Sequence, residues 1–251
     1  MARAPVLSVV IPAFNQEDEI ARTLEVVDSV LAAARIDHEI IVVSDGSEDH
    51  TAERAQGYAA CTVRVIEYHP NRGKGNALRV GSAVASGEWV AWVDADLDLH
   101  PSMLPSFLEQ ARARDLDAVV GSKRHADSKV DYPRLRRVYS WLYQLLVRLL
   151  FRLDVRDTQV GMKVFRRGVL DRVLPLVLVK QYAFDLEVLA VARHLGYGTI
   201  GEHPVVLDYQ FTGSGVRSRA IARALWDTAA VFFRLRIIRY YDRVVPDITS
   251  A

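Results

Sequence analysis

The chain has 251 residues, half of them hydrophobic, with a formal net charge of +1 and one cysteine, Cys61. That length fits one large domain or two small ones, and a lone cysteine excludes an intrachain disulfide and a cysteine-cluster zinc site. No low-complexity tract, internal repeat or uncharged apolar window of about 18 residues is visible, so disordered, solenoid and membrane-spanning classes are not expected.

The opening MARAPVLSVVIPAFNQ does not read as a signal peptide, because its apolar stretch is short and bracketed by Pro5 and Pro12. Residues 6–14, VLSVVIPAF, are a β-branched run and predict a buried strand. Residues 16–35 predict a helix: Ile20, Leu24, Val27 and Leu31 fall at helical spacing, and acids crowd the expected first turn. The order then repeats, with a strand at 39–43, a turn at Asp45-Gly46 and a second helix. A third strand is expected at 62–68, a glycine-opened helix at 73–87, a fourth strand at 88–96 and a fifth at 117–124. After residue 130 the character changes. RLRRVYSWLYQLLVRLLFRL, 134–153, predicts a strongly amphipathic helix, followed by a helix at 183–196 and a strand at 202–211. A basic, aromatic-rich helix at 217–243 closes the chain.

Strands alternating with helices predict an α/β fold with a mostly parallel sheet covered on both faces. Ligands in such sheets sit beyond the carboxyl ends of the strands, where Asp45 and Asp94 are placed. Charge is uneven. Residues 123–172 hold 13 Lys/Arg against 5 Asp/Glu, a balance of +8, and residues 212–251 hold 7 Arg against 3 Asp, a balance of +4. The remainder therefore carries −11, and the later segments suit an anionic partner.

WVDADLDLHP places Asp94, Asp96 and Asp98 directly behind an apolar run. Two readings compete. In one, the aspartates are solvated turn residues or cap a helix near Pro101. In the other, they hold Mg²⁺ or Mn²⁺, hard cations commonly bound by one or two carboxylates plus substrate phosphates. Other motifs are absent: the P-loop spacing around Lys74, a Gly-X-Gly-X-X-Gly after the first strand and a Gly-X-Ser-X-Gly elbow. The histidines show no metal-pair spacing, and His125 and His203 read as loop or packing residues.

IPAFNQEDEI, VVSDGSEDHT, NRGKGNALRVG and WVDADLDLHP occur in this order at βα junctions. Together they resemble the nucleotide-sugar half of family 2 glycosyltransferases, with the GT-A fold. GSKRHADS and RDTQVGMKVFRR narrow the resemblance to the polyprenyl- and dolichyl-phosphate hexosyltransferases, the glucosyl branch ahead of the mannosyl branch. It implies a catalytic domain over 1–211 and an amphipathic helical extension over 212–251. It places Pro12, Ala13 and Glu17 at the base and ribose, Asp45 at the base and Lys74 near the nucleotide. Asp94 and Asp96 fall in the metal-diphosphate motif, with Asp98 as a third candidate ligand. Arg124 and one of the later arginines, Arg134, Arg136 or Arg137, face the acceptor phosphate, with Lys123 the alternative to Arg124, while Asp157 and Gln159 help form the acceptor or sugar pocket. Asp96, Arg124, Arg137, Asp157 and Gln159 are thus the implied catalytic set.

Two departures stand out. Ser44 replaces the first Asp of the usual Asp-Asp-Gly-Ser, and Gly-Ser-Arg is stretched to Gly121-Ser122-Lys123-Arg124. A turn between helix and strand is the competing reading for Asp157 and Gln159. Asp185 and Glu187, where hydroxyl-glycosylating relatives carry a base, instead suit ordering of Arg or Lys side chains, or a purely structural role. A phosphate acceptor is already largely dianionic at neutral pH, so no dedicated base is required.

The resemblance implies inverting transfer from a nucleotide sugar, UDP-glucose ahead of GDP-mannose, to a polyprenyl phosphate. The 134–153 helix reads either as a core helix with an Arg-rich edge or as an interfacial helix on anionic headgroups. The second reading implies a cytoplasmic protein, peripheral on the cytoplasmic membrane face, with the last helix beside it or in a homodimer. A non-catalytic nucleotide-sugar or membrane-binding module is the alternative of another class. No nucleic-acid motif accompanies the basic stretches, so nucleic acid is not expected.

Overall fold

A computed structural model of the chain describes residues 4–58, 62–128, 134–181, 183–207 and 218–249. Side chains are described for all of these except 134–140, 218–222 and 245–249. The elements run β1 (Leu7–Ala13), α1 (Ile20–Ala33), β2 (His38–Asp45), α2 (Thr51–Gln56), β3 (Val63–Tyr68), α3 (Lys74–Ala83) and β4 (Trp89–Trp92). They continue with α4 (Leu104–Ala113), β5 (Ala118–Ser122), α5 (Arg134–Phe151), β6 (Lys163–Arg166), α6 (Arg167–Val173) and α7 (Phe184–His194). The last are β7 (Ile200–Pro204), α8 (Ser218–Phe232) and α9 (Tyr240–Thr249).

The strands form one sheet in the order β3-β2-β1-β4-β6-β5-β7. Pairings are parallel except those of β6, which runs antiparallel to both β4 and β5. The mostly parallel sheet expected from the sequence is therefore present, with one inserted reversal. β6 was given no range in the sequence reading and enters it only as the strand implied after a turn at Asp157 and Gln159. It is four residues long, and its central Val164 and Phe165 are fully buried between two neighbours.

Alternation of side chains across the strands divides the core into two layers. Val9, Ile11, Ile40, Val42 and Trp89 pack with the apolar stripes of α1 and α4. Val10, Ile41, Val43, Val90 and Trp92 face α3, α5 and α7. Pro12 is tolerated inside β1 because the ladder to β4 ends at Val10↔Trp92, before the missing N–H could break it.

Several boundaries differ from the sequence reading; α3 ends at Ala83 rather than 87, and β7 runs Ile200–Pro204 rather than from 202. α1 begins at Ile20, so Glu17, Asp18 and Glu19 lie in the preceding turn rather than in the first helical turn. The expected strand at 88–96 ends at Trp92, which releases Asp94 to Asp98 into a turn. The closing helix is not continuous: α8 passes into a π-helical turn, Phe233–Ile237, before α9. Residues 208–211 of the last expected strand lie outside the described residues. Among the described residues no helix is long and apolar enough to cross a membrane.

Candidate active site

The carboxyl ends of β1, β2 and β4 meet at one edge, as parallel strands with short following turns require. Asp45 closes β2 and is buried; its Oδ1 accepts the Arg72 N–H at 2.8 Å. Gly46 has φ +69°, and a Cβ there would lie 2.3 Å from Asn71 N, so only glycine lets the two loops touch. The Arg72 guanidinium lies 5.3 Å from the centre of the Tyr68 ring. Burial, with Asp45 beside it, pushes the Tyr68 phenol up to about 12, and its oxygen accepts the Asn76 Nδ2–H at 2.9 Å. Ala13 is buried and Pro12 partly exposed. Glu17 joins the first two βα loops: its Oε2 accepts the His50 N–H at 3.1 Å, and its own N–H donates to Asp49 Oδ2 at 3.1 Å. Pro12, Ala13 and Asp45 thus sit at the ends of β1 and β2, and Glu17 stitches together the loops that follow them.

Lys74 opens α3 behind Gly73, whose φ of +92° allows the sharp approach, and its ammonium pairs with Asp94 Oδ1. Although half-exposed, Lys74 is ringed by protein. Desolvation pulls its pKa down, but Asp94, Asp185 and Asp96 together outweigh this and leave it above the usual lysine value. The turn after β4 is held by Ala95, whose carbonyl accepts the Thr23 hydroxyl at 2.6 Å from α1. Leu97 adopts φ +57°, and Asp96 Oδ1 accepts the Asp98 N–H at 3.1 Å. Asp96 reaches solvent, yet desolvation and then the charge of Asp94 raise its pKa. Asp98 is raised by desolvation and by Asp96, with Lys123 opposing.

These carboxylates carry surplus negative charge, the electrostatic demand a divalent cation meets. The hard-oxygen donor set of Asp94 and Asp96 fits Mg²⁺ or Mn²⁺. Among the described residues, however, no three metal-ligating side chains gather into a cluster, Asp98 included. Substrate phosphates would have to complete the coordination.

Gly161 is a site residue that the sequence reading did not single out. A Cβ on it would lie 1.9 Å from Asp94 Oδ2. The DTQVG segment therefore passes flat against the metal-motif carboxylate, a close approach only glycine permits. Asp157 is buried and its Oδ1 accepts the Gln159 N–H at 3.1 Å, a side-chain-closed turn. Burial raises its pKa, with Lys123 and Lys163 opposing. Gln159 is exposed and interacts with Tyr143, whose hydroxyl lies 3.0 Å from Thr228 Oγ1 on α8.

Lys163, the first residue of β6, is buried at 1% exposure beneath this floor. Its ammonium donates to Asp185 Oδ1 at 2.6 Å and to the Val160 carbonyl. Asp185 therefore orders a lysine, one of the roles weighed for it. Asp185→Asn should destabilise the fold by about 3 kcal/mol or more, because it leaves a buried ammonium without its counter-charge. Urea unfolding measures this, and the double change Lys163→Met with Asp185→Leu should recover part of the loss.

Arg124 lines a cleft of about 670 Å³ with Trp141, Gln144, Arg148, Arg156 and the carboxylates Asp154 and Glu202. Lys123 instead faces Asp98 and Asp157, so of the two cations in the stretched motif it is Arg124 that lines the cleft. Arg148 lines the same cleft as Arg124. Gln144 is 7% exposed, and its Oε1 has no hydrogen-bond partner in this cleft. The ion pairs of the other two arginines are loose, Arg148 to Asp154 at 3.5 Å and the Arg156 guanidinium to Glu202 at 3.7 Å. The side chains of Arg134, Arg136 and Arg137 lie outside the described residues. His203 packs against Phe107, its ring 4.4 Å away, in the packing role expected for it.

Comparison with known proteins places this geometry. The family described as glycosyl transferase family 2 matches residues 8–174. A dolichyl-phosphate β-glucosyltransferase of Drosophila melanogaster is 34% identical over 208 residues, 75% of this chain and 63% of that protein. Its human namesake is 32% identical over 203 residues, 74% of this chain and 63% of that protein. The glycosyltransferase AglD of Haloferax volcanii is 35% identical over 205 residues, 79% of this chain and 32% of that protein. The matched region thus spans less than two thirds of these relatives' length. Among solved structures, mannosyl-3-phosphoglycerate synthase of Rubrobacter xylanophilus superposes with a TM-score of 0.70 at 20% identity, covering 92% of this chain and 74% of that one. Glucosyl-3-phosphoglycerate synthase of Mycobacterium tuberculosis, with Mn²⁺, UDP-glucose and phosphoglyceric acid, gives 0.68 at 20% identity, covering 91% and 79%. The mostly parallel sheet with its covering helices is the GT-A fold expected from the motifs, and the chain belongs to glycosyl transferase family 2.

Proposed function

We propose that this chain transfers a hexose, with inversion, from a nucleotide sugar to a polyprenyl phosphate, and that the preferred donor is UDP-glucose. The observation that carries the reading is an acidic edge at Asp94 and Asp96 together with a partly apolar cleft that holds three arginines, Arg124, Arg148 and Arg156, against two acids, Asp154 and Glu202. The relatives named for dolichyl phosphate and glucose support the acceptor and sugar, and the fold neighbour bound to Mn²⁺ and UDP-glucose supports the donor and metal.

Asp94 and Asp96 would hold Mg²⁺ or Mn²⁺, which when bound neutralises the diphosphate leaving group. Lys74 supplies a further cation at the same edge. Pro12, Ala13, Glu17 and Asp45 form the nucleoside side of the pocket. Arg124 holds the acceptor phosphate, with Arg148 and Arg156 reinforcing it. The phosphate dianion attacks without a protein base, and Asp157 and Gln159 shape the floor between the two substrates. Attack from the face opposite the leaving group converts an α-linked donor into a β-linked product. Trp141, Leu142, Leu145 and Leu149 on α5, with Trp226 and Ile237 on the C-terminal segment, are exposed apolar groups near Arg148, Arg152 and Arg236 in sequence. They suit a peripheral seat on the cytoplasmic face of a membrane. The same surface would also serve a homodimer.

The acceptor assignment is tested with a short, detergent-soluble polyprenyl phosphate and no bilayer. Arg124→Ala and Arg156→Ala should each lower transfer about tenfold or more, with nucleotide affinity unchanged, since a charge-assisted bond contributes about 1.5–3 kcal/mol. Arg152→Ala should leave this assay intact and weaken liposome association, more so at low salt. Wild-type rates for both Arg124→Ala and Arg156→Ala would remove the cleft from the reaction.

A further inference from the structure

Glu187 is fully buried in the first turn of α7 and belongs to neither the donor edge nor the cleft. A carboxylate so placed is costly unless several donors satisfy it. Its two oxygens serve different segments. Oε2 accepts the Leu178 N–H at 2.9 Å and the Val179 N–H at 2.7 Å. Oε1 accepts the Arg234 Nη2–H at 2.8 Å and the Tyr241 hydroxyl at 2.5 Å. One oxygen thus holds the strap 177–181, and the other holds the π-turn and α9. Burial, then the charge of Glu187, push the Tyr241 phenol well above the usual tyrosine value, so it remains a donor. A second tie joins the same elements, His194 of α7 to Asp242 of α9 at 2.5 Å.

The strap reaches the donor edge. The Lys180 carbonyl accepts the Gly75 N–H at 3.1 Å. A Cβ on Gly73 would lie 2.7 Å from that oxygen, and one on Gly75 would lie 2.5 Å from the Phe184 ring. The strap is therefore pressed against the first turn of α3, from which Lys74 reaches Asp94.

We propose that Glu187 is a positioning residue that couples the C-terminal helices to the donor site. With Arg234 in place the buried carboxylate is paired and grips the strap, and the strap seats Lys74. Without Arg234 the carboxylate is left without its cation. Its hold on the two strap N–H groups then weakens, and the first turn of α3 loosens. The C-terminal helices then set donor affinity as well as surface contact.

The test uses the full chain and two readouts. Hydrogen exchange at residues 73–78 should quicken about tenfold in Arg234→Ala and in Glu187→Gln, reporting local opening of α3. Arg236→Ala, an exposed neighbour in the same turn, should leave it unchanged, and Arg234→Lys should restore most of the protection. Calorimetry with Mn²⁺ plus UDP or GDP, below the unfolding onset, should show about tenfold weaker binding of whichever nucleotide the wild type takes. Tyr241→Phe removes one bond and no charge, and should shift both readouts in the same direction by less if the stronger variants do not fold. Faster exchange confined to 177–181 and 218–249, with 73–78 and nucleotide affinity at wild-type values, would reduce Glu187 to a structural clamp. A wild type that binds neither nucleotide would sink the donor reading that the second readout rests on, and exchange alone would then decide the coupling.

Discussion

Asp96→Asn is expected to leave a folded protein whose transfer rate falls by a factor of about 10²–10³, the scale of losing one preorganised electrostatic group. The fold should tolerate it. Asp96 is solvent-accessible, and asparagine can still accept the Asp98 N–H. What disappears is one negative charge in a turn where desolvation and Asp94 already hold the Asp96 carboxyl pKa above its ordinary value. Relief of that repulsion should leave the metal-free variant as thermally stable as wild type or more so, while Mn²⁺ no longer stabilises it. Thermal melts with and without Mn²⁺, beside a transfer assay, check both halves. A variant that keeps full turnover would take Asp96 out of the mechanism.

Gly161→Ala should be nearly as damaging, although it adds only a methyl group. That methyl would occupy the space of the Asp94 carboxylate, 1.9 Å from Oδ2 and 2.6 Å from Cγ. Asp94 must then leave its rotamer and its pairing with Lys74, and the proposed metal site would lose a fixed ligand. Turnover and Mn²⁺ affinity should both fall about a hundredfold, at the upper end of what is typical for a group that only orients a metal ligand. Gly168→Ala is the matched control. Nothing lies within 4 Å of its added Cβ, and its place in α6 makes alanine more stable by about 0.5–1 kcal/mol. Equal activity in the two variants would show that DTQVG does not brace Asp94.

The elements most legible in the sequence were those with a local cause. β1 and β2 carry β-branched runs, and the aspartate that ends β2 and those that follow β4 stand at the expected ligand edge by their position in the chain alone. β6 was hidden because KVFR starts and ends with cations, and its lysine is tolerated inside only through Asp185, 22 residues later. The break between α8 and α9 likewise has no local marker. Arg234 and Tyr241 both turn to Glu187, a partner 47 and 54 residues away. At the site, Lys74, Asp94 and Asp96 announce themselves by motif. Gly161, Thr23 and Gln144 do not, because each matters through a contact with a distant segment: Asp94, Ala95 and the walls of the cleft.

The central claim is that an acidic donor edge and a basic cleft join a nucleotide-bound hexose to a lipid phosphate. The most direct measurement incubates the full chain with a panel of nucleotide sugars, Mn²⁺ and a short polyprenyl phosphate in detergent, then determines product identity and anomeric configuration by NMR. UDP-glucose should give a β-linked glucosyl lipid phosphate, and EDTA should abolish its formation. Undiminished product in EDTA, an α-linked product, or release of free sugar with no lipid product from any donor would contradict the account.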